Sequence, residues 1–225
     1  MDEPKFEFNK PVFKKQIDLP KASEVPVAKE YLEKRKLDST KFYYAHKFKK
    51  WANTQKQTFD NLYKDDSRIV IPMYDTDLNL IGFQGRSLGP SSVKYITVMI
   101  NDDAPKIYGL DKVNETKPIY IIEGPFDSTL VENSVAMCGS DIDIRTFGWG
   151  NYIWVYDNEP RNREIVNRIS KTIDRGDKII IWPSKVEQKD INDMVLARHD
   201  IMSILESNIY SNLKAKIKFN NWKKV

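Results

Sequence analysis

The apolar residues in the second half of the chain fall into short, nearly continuous runs. There are four such runs: Ile119–Ile122, Ser134–Met137, Ile153–Tyr156 and Ile179–Trp182. Stretches with helical periodicity lie between and after them, near 126–132, 161–175 and 190–197. Apolar strands that alternate with helices are typical of a parallel sheet covered by helices. The pattern therefore predicts an α/β fold for this half.

The first half of the chain has a different pattern. Arg68–Tyr74 and Leu80–Phe83 are apolar runs joined by the turn residues Asp75–Asn79, which predicts a β-hairpin. Tyr95–Ile100 adds a third strand to a small antiparallel or mixed sheet. Amphipathic spacing predicts one helix over 27–36 and another over 200–217.

Two segments near the N-terminus are rich in lysine, and the first of them, residues 1–26, has no sustained apolar period. Residues 1–26 contain four prolines and many lysines, which predicts an extended tether. Residues 41–64 interleave lysines with aromatic residues. Such aromatics either stack on nucleic-acid bases or belong to a protein core, and the sequence leaves both interpretations open.

Composition excludes several classes of protein. A hydrophobic fraction of 40% and an aromatic fraction of 12% over 225 residues exclude wholesale disorder. No apolar run approaches the ~20 residues of a membrane span, so we expect no membrane partner. The single Cys138 excludes an intrachain disulfide, and one Cys with two His cannot form a zinc module. We expect a reducing cytoplasm and a metal held by carboxylates.

The net charge of +4 is unevenly distributed. Residues 1–66 hold 15 basic and 11 acidic side chains, whereas 67–212 hold 16 and 21. Residues 213–225 hold five lysines and no acid. Basic flanks around an acidic centre suit a protein that binds a polyanion near carboxylate-bound cations, although a solubilising tail on a mixed surface has the same signature.

Acidic residues follow three of the predicted parallel strands. Glu123 comes directly after the first run, Asp157 and Glu159 follow the third, and Asp190 follows the fourth. Active groups of parallel sheets gather beyond the carboxyl ends of the strands. If 157–159 is extended, its two carboxylates point to the same side. Three further polar residues accompany these acids in sequence: Asp127, Lys189 and Asp193.

Carboxylates that lie this close together repel one another unless cations separate them. Mg²⁺ is the natural cation because it prefers oxygen ligands and keeps waters that phosphate oxygens replace. Two such ions can stabilise the attacking and leaving oxygens of an in-line phosphoryl transfer. The pattern therefore predicts a metal-phosphate site.

The acidic motifs resemble those of the TOPRIM domain shared by topoisomerases and primases. That family has a Glu after its first strand, a D-x-D pair after its third and further acids after its fourth. The matching segments here are Glu123-Gly124, Asp157-Asn158-Glu159 and Lys189-Asp190-Ile191-Asn192-Asp193. Glu159 departs from the family pattern by standing in place of the second Asp.

From residue 68 to about 218, the chain resembles the primases of T-even-type bacteriophages. The similarity includes the segments 68–88, 94–97, 106–113, 120–128, 155–169 and 189–195. The block ahead of the TOPRIM motifs also resembles the basic subdomain of bacterial replicative primases, which holds template and incoming nucleotide. By motif match, those roles fall on Arg68, Arg86, Lys94, Tyr95 and Lys106.

The resemblance implies four regions in this chain. A small basic α+β subdomain over 27–116 follows the tether of 1–26 and precedes a TOPRIM-type parallel sheet over 117–198. A C-terminal helix and lysine-rich tail occupy 199–225.

The implied function is synthesis of short RNA primers on single-stranded DNA, with Mg²⁺ or Mn²⁺ as the cofactor. Asp157 and Glu159, with Asp190 as a third ligand, would hold the metal. Glu123 would bind metal or act as general base, and the sequence does not decide between these roles. Asp127, Lys189 and Asp193 would support the site. The implied partners are ribonucleoside triphosphates, the single-stranded DNA template and a hexameric replicative helicase. The implied location is the cytoplasm of an infected bacterium.

Phage primases of this type begin with a Cys-rich zinc-binding domain, which these 225 residues do not contain. We expect that module on another chain acting in trans, on a part of the protein outside this sequence, or lost from a reduced protein. Two other functions use the same features. One is a TOPRIM nuclease, and the other is a non-catalytic adaptor that binds DNA or a helicase.

Overall fold

The computed structural model describes residues 16–139 and 142–225. Two β-sheets and seven α-helices make up the described part of the chain. The strands are β1 (Tyr43–Ala45), β2 (Arg68–Tyr74), β3 (Leu80–Ser87), β4 (Tyr95–Met99), β5 (Ile119–Ile122), β6 (Ser134–Ala136), β7 (Tyr152–Val155), β8 (Lys178–Ile180) and β9 (Ile209–Tyr210). The helices are α1 (Pro26–Glu33), α2 (Phe48–Gln55), α3 (Pro125–Ser128), α4 (Arg163–Asp174), α5 (Ile191–Leu196), α6 (Ile201–Ser207) and α7 (Asn212–Trp222).

The first sheet is antiparallel throughout, in the order β1-β2-β3-β4. It contains the predicted hairpin, whose two strands pair Ile69 with Arg86 and Val70 with Gly85. A Cβ atom at Gly85 would lie 2.4 Å from the ring of Phe48, so only glycine lets α2 pack this closely on β3. Phe48 is fully buried, which confirms the core interpretation for this aromatic side chain.

The second sheet has the order β6-β5-β7-β8-β9. β5 is parallel to both β6 and β7, and β7 is parallel to β8. All four residues of β5 are buried, as expected for a strand covered on both faces. The predicted α/β fold with a helix-covered parallel sheet, preceded by a small α+β subdomain, is confirmed.

The two sheets share one continuous core. Ile69 and Ile71 of β2 belong to the same cluster of buried side chains as Ile119 and Ile121 of β5. Phe42, also fully buried, packs edge-on against Phe126 of α3 at 5.3 Å between ring centroids. This packing brings the faces of the two sheets together beside the carboxyl end of β5.

The predicted tether is wrong for the part of it that the structure describes. Ile17 and Ala22 are buried, and the Tyr44 backbone N–H donates to the Pro20 carbonyl at 3.0 Å. The apolar side chains of these residues pack in the buried core of the protein, so this segment is not an extended tether. The proline-rich sequence gives no sign of these tertiary contacts. Residues 1–15 of the predicted tether lie outside the described residues.

The predicted single helix over 200–217 is also wrong. The chain forms α6, then β9, then α7, and β9 pairs antiparallel with β8 through Ile179–Tyr210 and Ile180–Ile209. The spacing of apolar residues in this segment resembles that of one continuous helix. The segment is interrupted because β9 pairs with β8, whose edge would otherwise be unpaired. As a result, Leu213 is 70% exposed rather than part of a buried helix face.

The predicted helix near 126–132 is shorter than expected and ends at Ser128. In the described residues, no helix is long and apolar enough to cross a lipid bilayer.

Candidate active site

The predicted acids meet at the carboxyl ends of β5 and β7. These strands pair in register, with Ile122 opposite Val155, so Glu123 and Asp157 leave the sheet at the same edge. Gly124 caps α3, whose first turn carries Asp127. Asp190 caps α5, where its Oδ1 accepts a hydrogen bond from the Asp193 backbone N–H at 2.8 Å. The side chains of four acids line one pocket of about 240 Å³: Glu123, Asp127, Asp157 and Asp190.

Burial first, and then the charges of neighbouring carboxylates, raise the pKa of Asp157 to about 8. These carboxylates belong to Glu123, Asp127 and Asp190. Burial likewise raises the pKa of Asp127 to about 7, with the charge of Asp190 as the next cause. Such shifts arise where carboxylates are crowded together away from water. The pocket is therefore electrostatically suited to a cation.

Glu123 is fixed by a cation from α4. Arg168 Nη1 donates to Glu123 Oε1 at 2.7 Å, and both side chains are largely buried. Burial raises the pKa of Glu123, whereas the charge of Arg168 and the backbone N–H of Asp157 lower it in part. The carboxylate is thus held between α4 and Asp157, two residues past the end of β7.

Glu159 does not line this pocket, which corrects its predicted place beside Asp157. Its backbone N–H donates to the Asp157 carbonyl at 2.9 Å, so the chain turns there and the extended geometry behind the prediction does not hold. The Glu159 carboxylate pairs with Lys189 at 3.3 Å, accepts a hydrogen bond from Asn162, and lines a different cavity. Asp193 does not line the acidic pocket either.

Lys189 does line the pocket, as a supporting residue. Burial lowers its pKa, but the charges of Glu159, Asp157 and Asp190 outweigh burial and leave the pKa raised. Lys189 is therefore a stable positive charge between the two acidic loops.

The first sheet supplies a cationic wall that faces the acids. Arg86, Lys94 and Tyr95 all line the acidic pocket. Arg86 is 6% exposed, and its guanidinium donates to the hydroxyls of Tyr31, at 3.0 Å, and Tyr95. It also lies over the rings of Tyr95 and Phe126. The burial of Tyr95 raises the pKa of its hydroxyl to about 12, so the hydroxyl stays protonated.

Lys94 is the most solvent-exposed part of this wall. Partial burial lowers its pKa, and nearby positive charges lower it further. They belong to Arg86, Lys189 and Arg35. A group of cations at this density favours a polyanionic ligand such as a triphosphate.

Two predicted nucleotide-binding residues lie elsewhere. Arg68 is 2% exposed, and its guanidinium donates to both carboxylate oxygens of Asp66 and to the carbonyls of Gly85 and Val93. Because its donors are used inside the first sheet, Arg68 has a structural position and lies outside the lining of the acidic pocket, and its binding role stays a prediction. Lys106 is exposed and does not line the pocket.

Sequence reasoning missed Arg35 and Asn192, which also line the pocket. Arg35 Nη1 donates to Asn192 Oδ1 at 3.1 Å, and Asn192 Nδ2 donates to the Arg35 carbonyl at 2.6 Å. The Asn192 backbone N–H donates to Asp127 Oδ1 at 2.8 Å. Nothing in the local sequence distinguishes Arg35 from its lysine neighbours, because its partner lies 157 residues away.

The carboxylate oxygens of the pocket are the type of ligand that a hard cation such as Mg²⁺ prefers. Among residues 16–139 and 142–225, no three His, Cys, Asp or Glu residues form a ready-made metal cage. Mg²⁺ does not need such a cage, since one or two carboxylates, waters and substrate phosphates normally complete its coordination. Asp157 and Asp190 are suitably placed carboxylates, and the raised pKa of Asp157 reflects negative charge that a cation would offset.

Comparisons with known proteins agree with this architecture. No family model matches the chain. It is 31% identical over 214 residues to the DNA primase of Enterobacteria phage T4, a match that covers 91% of this chain and 62% of the phage protein. The chain therefore spans less than two thirds of that relative's length.

Solved structures show the same fold. The Escherichia coli primase catalytic core superposes with a TM-score of 0.63 at 20% identity, covering 90% of this chain and 80% of that one. A DnaG primase catalytic domain bound to single-stranded DNA gives a TM-score of 0.63 at 19% identity, covering 85% and 75%. The resemblance to T-even-type phage primases is thus confirmed, and the chain has the fold of a primase catalytic core.

Proposed function

We propose that this chain is the catalytic region of a DNA primase, which synthesises short RNA primers on single-stranded DNA by metal-dependent nucleotidyl transfer. The observation that carries the proposal is a single pocket in which carboxylates at parallel-strand ends face cations of the antiparallel sheet. Nucleotidyl transfer needs both: carboxylates for the metal, and cations for the triphosphate of the incoming nucleotide.

Asp157 and Asp190 would hold Mg²⁺ or Mn²⁺. Once bound, the metal would neutralise charge on the reacting phosphate and favour ionisation of the attacking 3′-hydroxyl. Glu123 would accept the hydroxyl proton or add a further ligand. Its ion pair with Arg168 keeps the carboxylate at the pocket edge in either role. Asp127 would orient α5 through the Asn192 backbone N–H.

The cationic wall would bind the triphosphate. Lys94 is the exposed cation that would follow phosphate oxygens, since Arg86 is held by two tyrosine hydroxyls and Arg35 by Asn192. In the reaction, the 3′-hydroxyl oxygen bonds to the α-phosphorus, the bond to the bridging oxygen breaks, and pyrophosphate leaves. Positive charge at the wall would stabilise the pyrophosphate as it departs.

The regions would divide the work between them. The subdomain over 27–116 would guide template and nucleotide, and the parallel sheet over 117–198 would carry the chemistry. Single-stranded DNA is bound by one of the superposed primase domains, and we extend that ligand to this chain. A hexameric helicase and a zinc-binding primase module in trans are the protein partners we propose, in the cytoplasm of an infected bacterium.

A direct assay tests the proposal. The chain is incubated with single-stranded DNA, labelled ribonucleotides and Mg²⁺, with and without a replicative helicase, beside a plasmid-nicking assay. Template-dependent RNA of short length supports the primase assignment. Nicked plasmid without RNA would indicate a nuclease, and DNA binding with neither product would indicate an adaptor.

A further inference from the structure

Asn158 stands between Asp157 and Glu159, at the turn that follows β7. Both polar atoms of its side-chain amide are hydrogen-bonded. Nδ2 donates to the Val186 carbonyl at 2.9 Å and to the Gln188 carbonyl at 3.0 Å. Oδ1 accepts a hydrogen bond from the Trp222 indole Nε1 at 2.9 Å.

These bonds connect the two acidic loops of the pocket. The Asn158 backbone N–H also donates to the Lys189 carbonyl at 2.6 Å, one residue before Asp190. Asn158 therefore ties the residue after Asp157 to the segment that leads into Asp190. Any rotation of its amide would loosen three side-chain bonds together and change the separation of the two carboxylates.

Trp222 fixes the amide from outside both loops. It is the last residue of α7, which is anchored by the buried Phe219 and ends where Lys224 donates its backbone N–H to the Pro160 carbonyl at 2.8 Å. The Trp222 and Phe219 rings stack at 6.2 Å between centroids. The indole N–H thus approaches Asn158 from a helix that is itself packed in place.

We propose that Trp222 is a positioning residue for metal binding: its indole N–H orients Asn158, which sets the spacing of Asp157 and Asp190. The inference rests on the proposed function, because it assumes that these two carboxylates hold the metal. It assigns a task to the C-terminal helix, which contributes no side chain to the lining of the acidic pocket. Partners that hold metal-binding groups in place commonly change metal affinity 10- to 100-fold when removed.

The test measures Mn²⁺ and Mg²⁺ binding to the whole chain by calorimetry, independently of activity. Trp222→Phe keeps an aromatic ring that can stack on Phe219 and removes only the indole donor. Trp51→Phe is the matched control, because the Trp51 indole N–H is buried without a hydrogen-bond partner in the described structure. We expect Trp222→Phe to weaken metal binding about tenfold, and Trp51→Phe to leave it unchanged.

A second variant keeps the test decisive if Trp222→Phe folds poorly. Asn158→Ala removes the three side-chain bonds, including the one to Trp222, and keeps the backbone bond to Lys189; it should weaken metal binding at least as much. In a double-mutant cycle, adding Trp222→Phe to Asn158→Ala should have no further effect on metal affinity, since both act through one bond. In primer synthesis, Trp222→Phe should raise the KM for Mg²⁺ about tenfold while kcat at saturating Mg²⁺ stays near that of the parent chain.

The outcomes distinguish failure of the proposed metal site from failure of the positioning role of Trp222. If the parent chain binds neither metal, the metal site of the proposed function fails, and the positioning role fails with it. If the parent chain binds metal and Trp222→Phe binds it equally well, the positioning role alone is wrong. A lower melting temperature with unchanged metal affinity would likewise show that Trp222 only packs.

Discussion

Arg168 on α4 pairs with Glu123 at the end of β5, and the guanidinium nitrogen lies 2.7 Å from the carboxylate oxygen. The arginine side chain is 27% exposed and the glutamate 21%. The pair therefore fixes an acid of the pocket from a helix that supplies none of the residues lining the pocket.

Arg168→Met should lower the rate of primer synthesis at least tenfold and cost about 2 kcal/mol of folding stability. Removing the guanidinium leaves a largely buried carboxylate without its charged partner, and charge-assisted hydrogen bonds contribute on this scale. Steady-state primer synthesis and urea unfolding measure the two effects. Lys171→Met, one turn further along α4, is the control and should change neither. Full activity in Arg168→Met would show that Glu123 needs no partner.

Lys94→Ala should raise the KM for ribonucleoside triphosphates about tenfold while the melting temperature stays the same. Lys94 is exposed in the cationic wall, so its removal costs phosphate contacts and little packing. Lys106→Ala removes an exposed lysine outside the pocket and should leave the KM unchanged. If the two substitutions changed the KM equally, the cationic wall would have no specific role in binding the triphosphate.

Arg68→Met should unfold the protein at a markedly lower urea concentration and leave the nucleotide KM of the folded fraction unchanged. The guanidinium is buried in the first sheet, so Asp66 and two carbonyls would lose their donors, at a cost of about 3 kcal/mol. Urea unfolding and a nucleotide titration are the measurements. A large rise in KM at unchanged stability would support the binding role that the sequence motif suggests.

The stability gained from Mg²⁺ should increase with pH. The pKa of Asp157 is about 8 in the folded chain, whereas an unfolded Asp has a pKa near 3.9. The folded state therefore holds a proton that the unfolded state has lost, so the free energy of unfolding falls as pH rises from about 4 to about 8. Mg²⁺ binds the ionised carboxylate of Asp157. At lower pH it must first displace the proton from that carboxylate, so it binds more weakly and stabilises the fold less.

Thermal melts with and without Mg²⁺ at about pH 6 and about pH 8 check this pH dependence. The melting temperature should rise more at the higher pH. Asp157→Asn should abolish the difference between the two pH values. An equal increase at both pH values in the parent chain would contradict the link between Asp157 and the metal.

Much of the fold could be predicted from the sequence because its strands are apolar without interruption. β2 and β5 match the predicted segments and β3 extends past its predicted end to Ser87, while the acids after β5 and β7 meet where parallel-strand geometry requires. These predictions depend only on local pattern and on a general property of parallel sheets.

The features that local pattern did not predict depend on tertiary geometry. Glu159 is not among the residues lining the acidic pocket because the backbone turns at Asp157, and side-chain alternation holds only for extended chain. Arg68 matches a nucleotide-binding motif, yet its burial became visible only once β2 and β3 were paired. Arg35 reaches the pocket through Asn192, a contact that no local pattern encodes.

The most direct test of the central claim is primer synthesis by the parent chain and by Asp157→Asn on single-stranded DNA with ribonucleotides and Mg²⁺. Asp157→Asn keeps the size of the side chain and removes the charge needed for the metal. Glu159→Gln serves as the matched comparison, because that carboxylate is not part of the pocket lining and reaches the pocket only through its ion pair with Lys189. The account predicts short RNA from the parent chain, a reduced yield from Glu159→Gln and none from Asp157→Asn. Near-normal RNA synthesis by Asp157→Asn would contradict it.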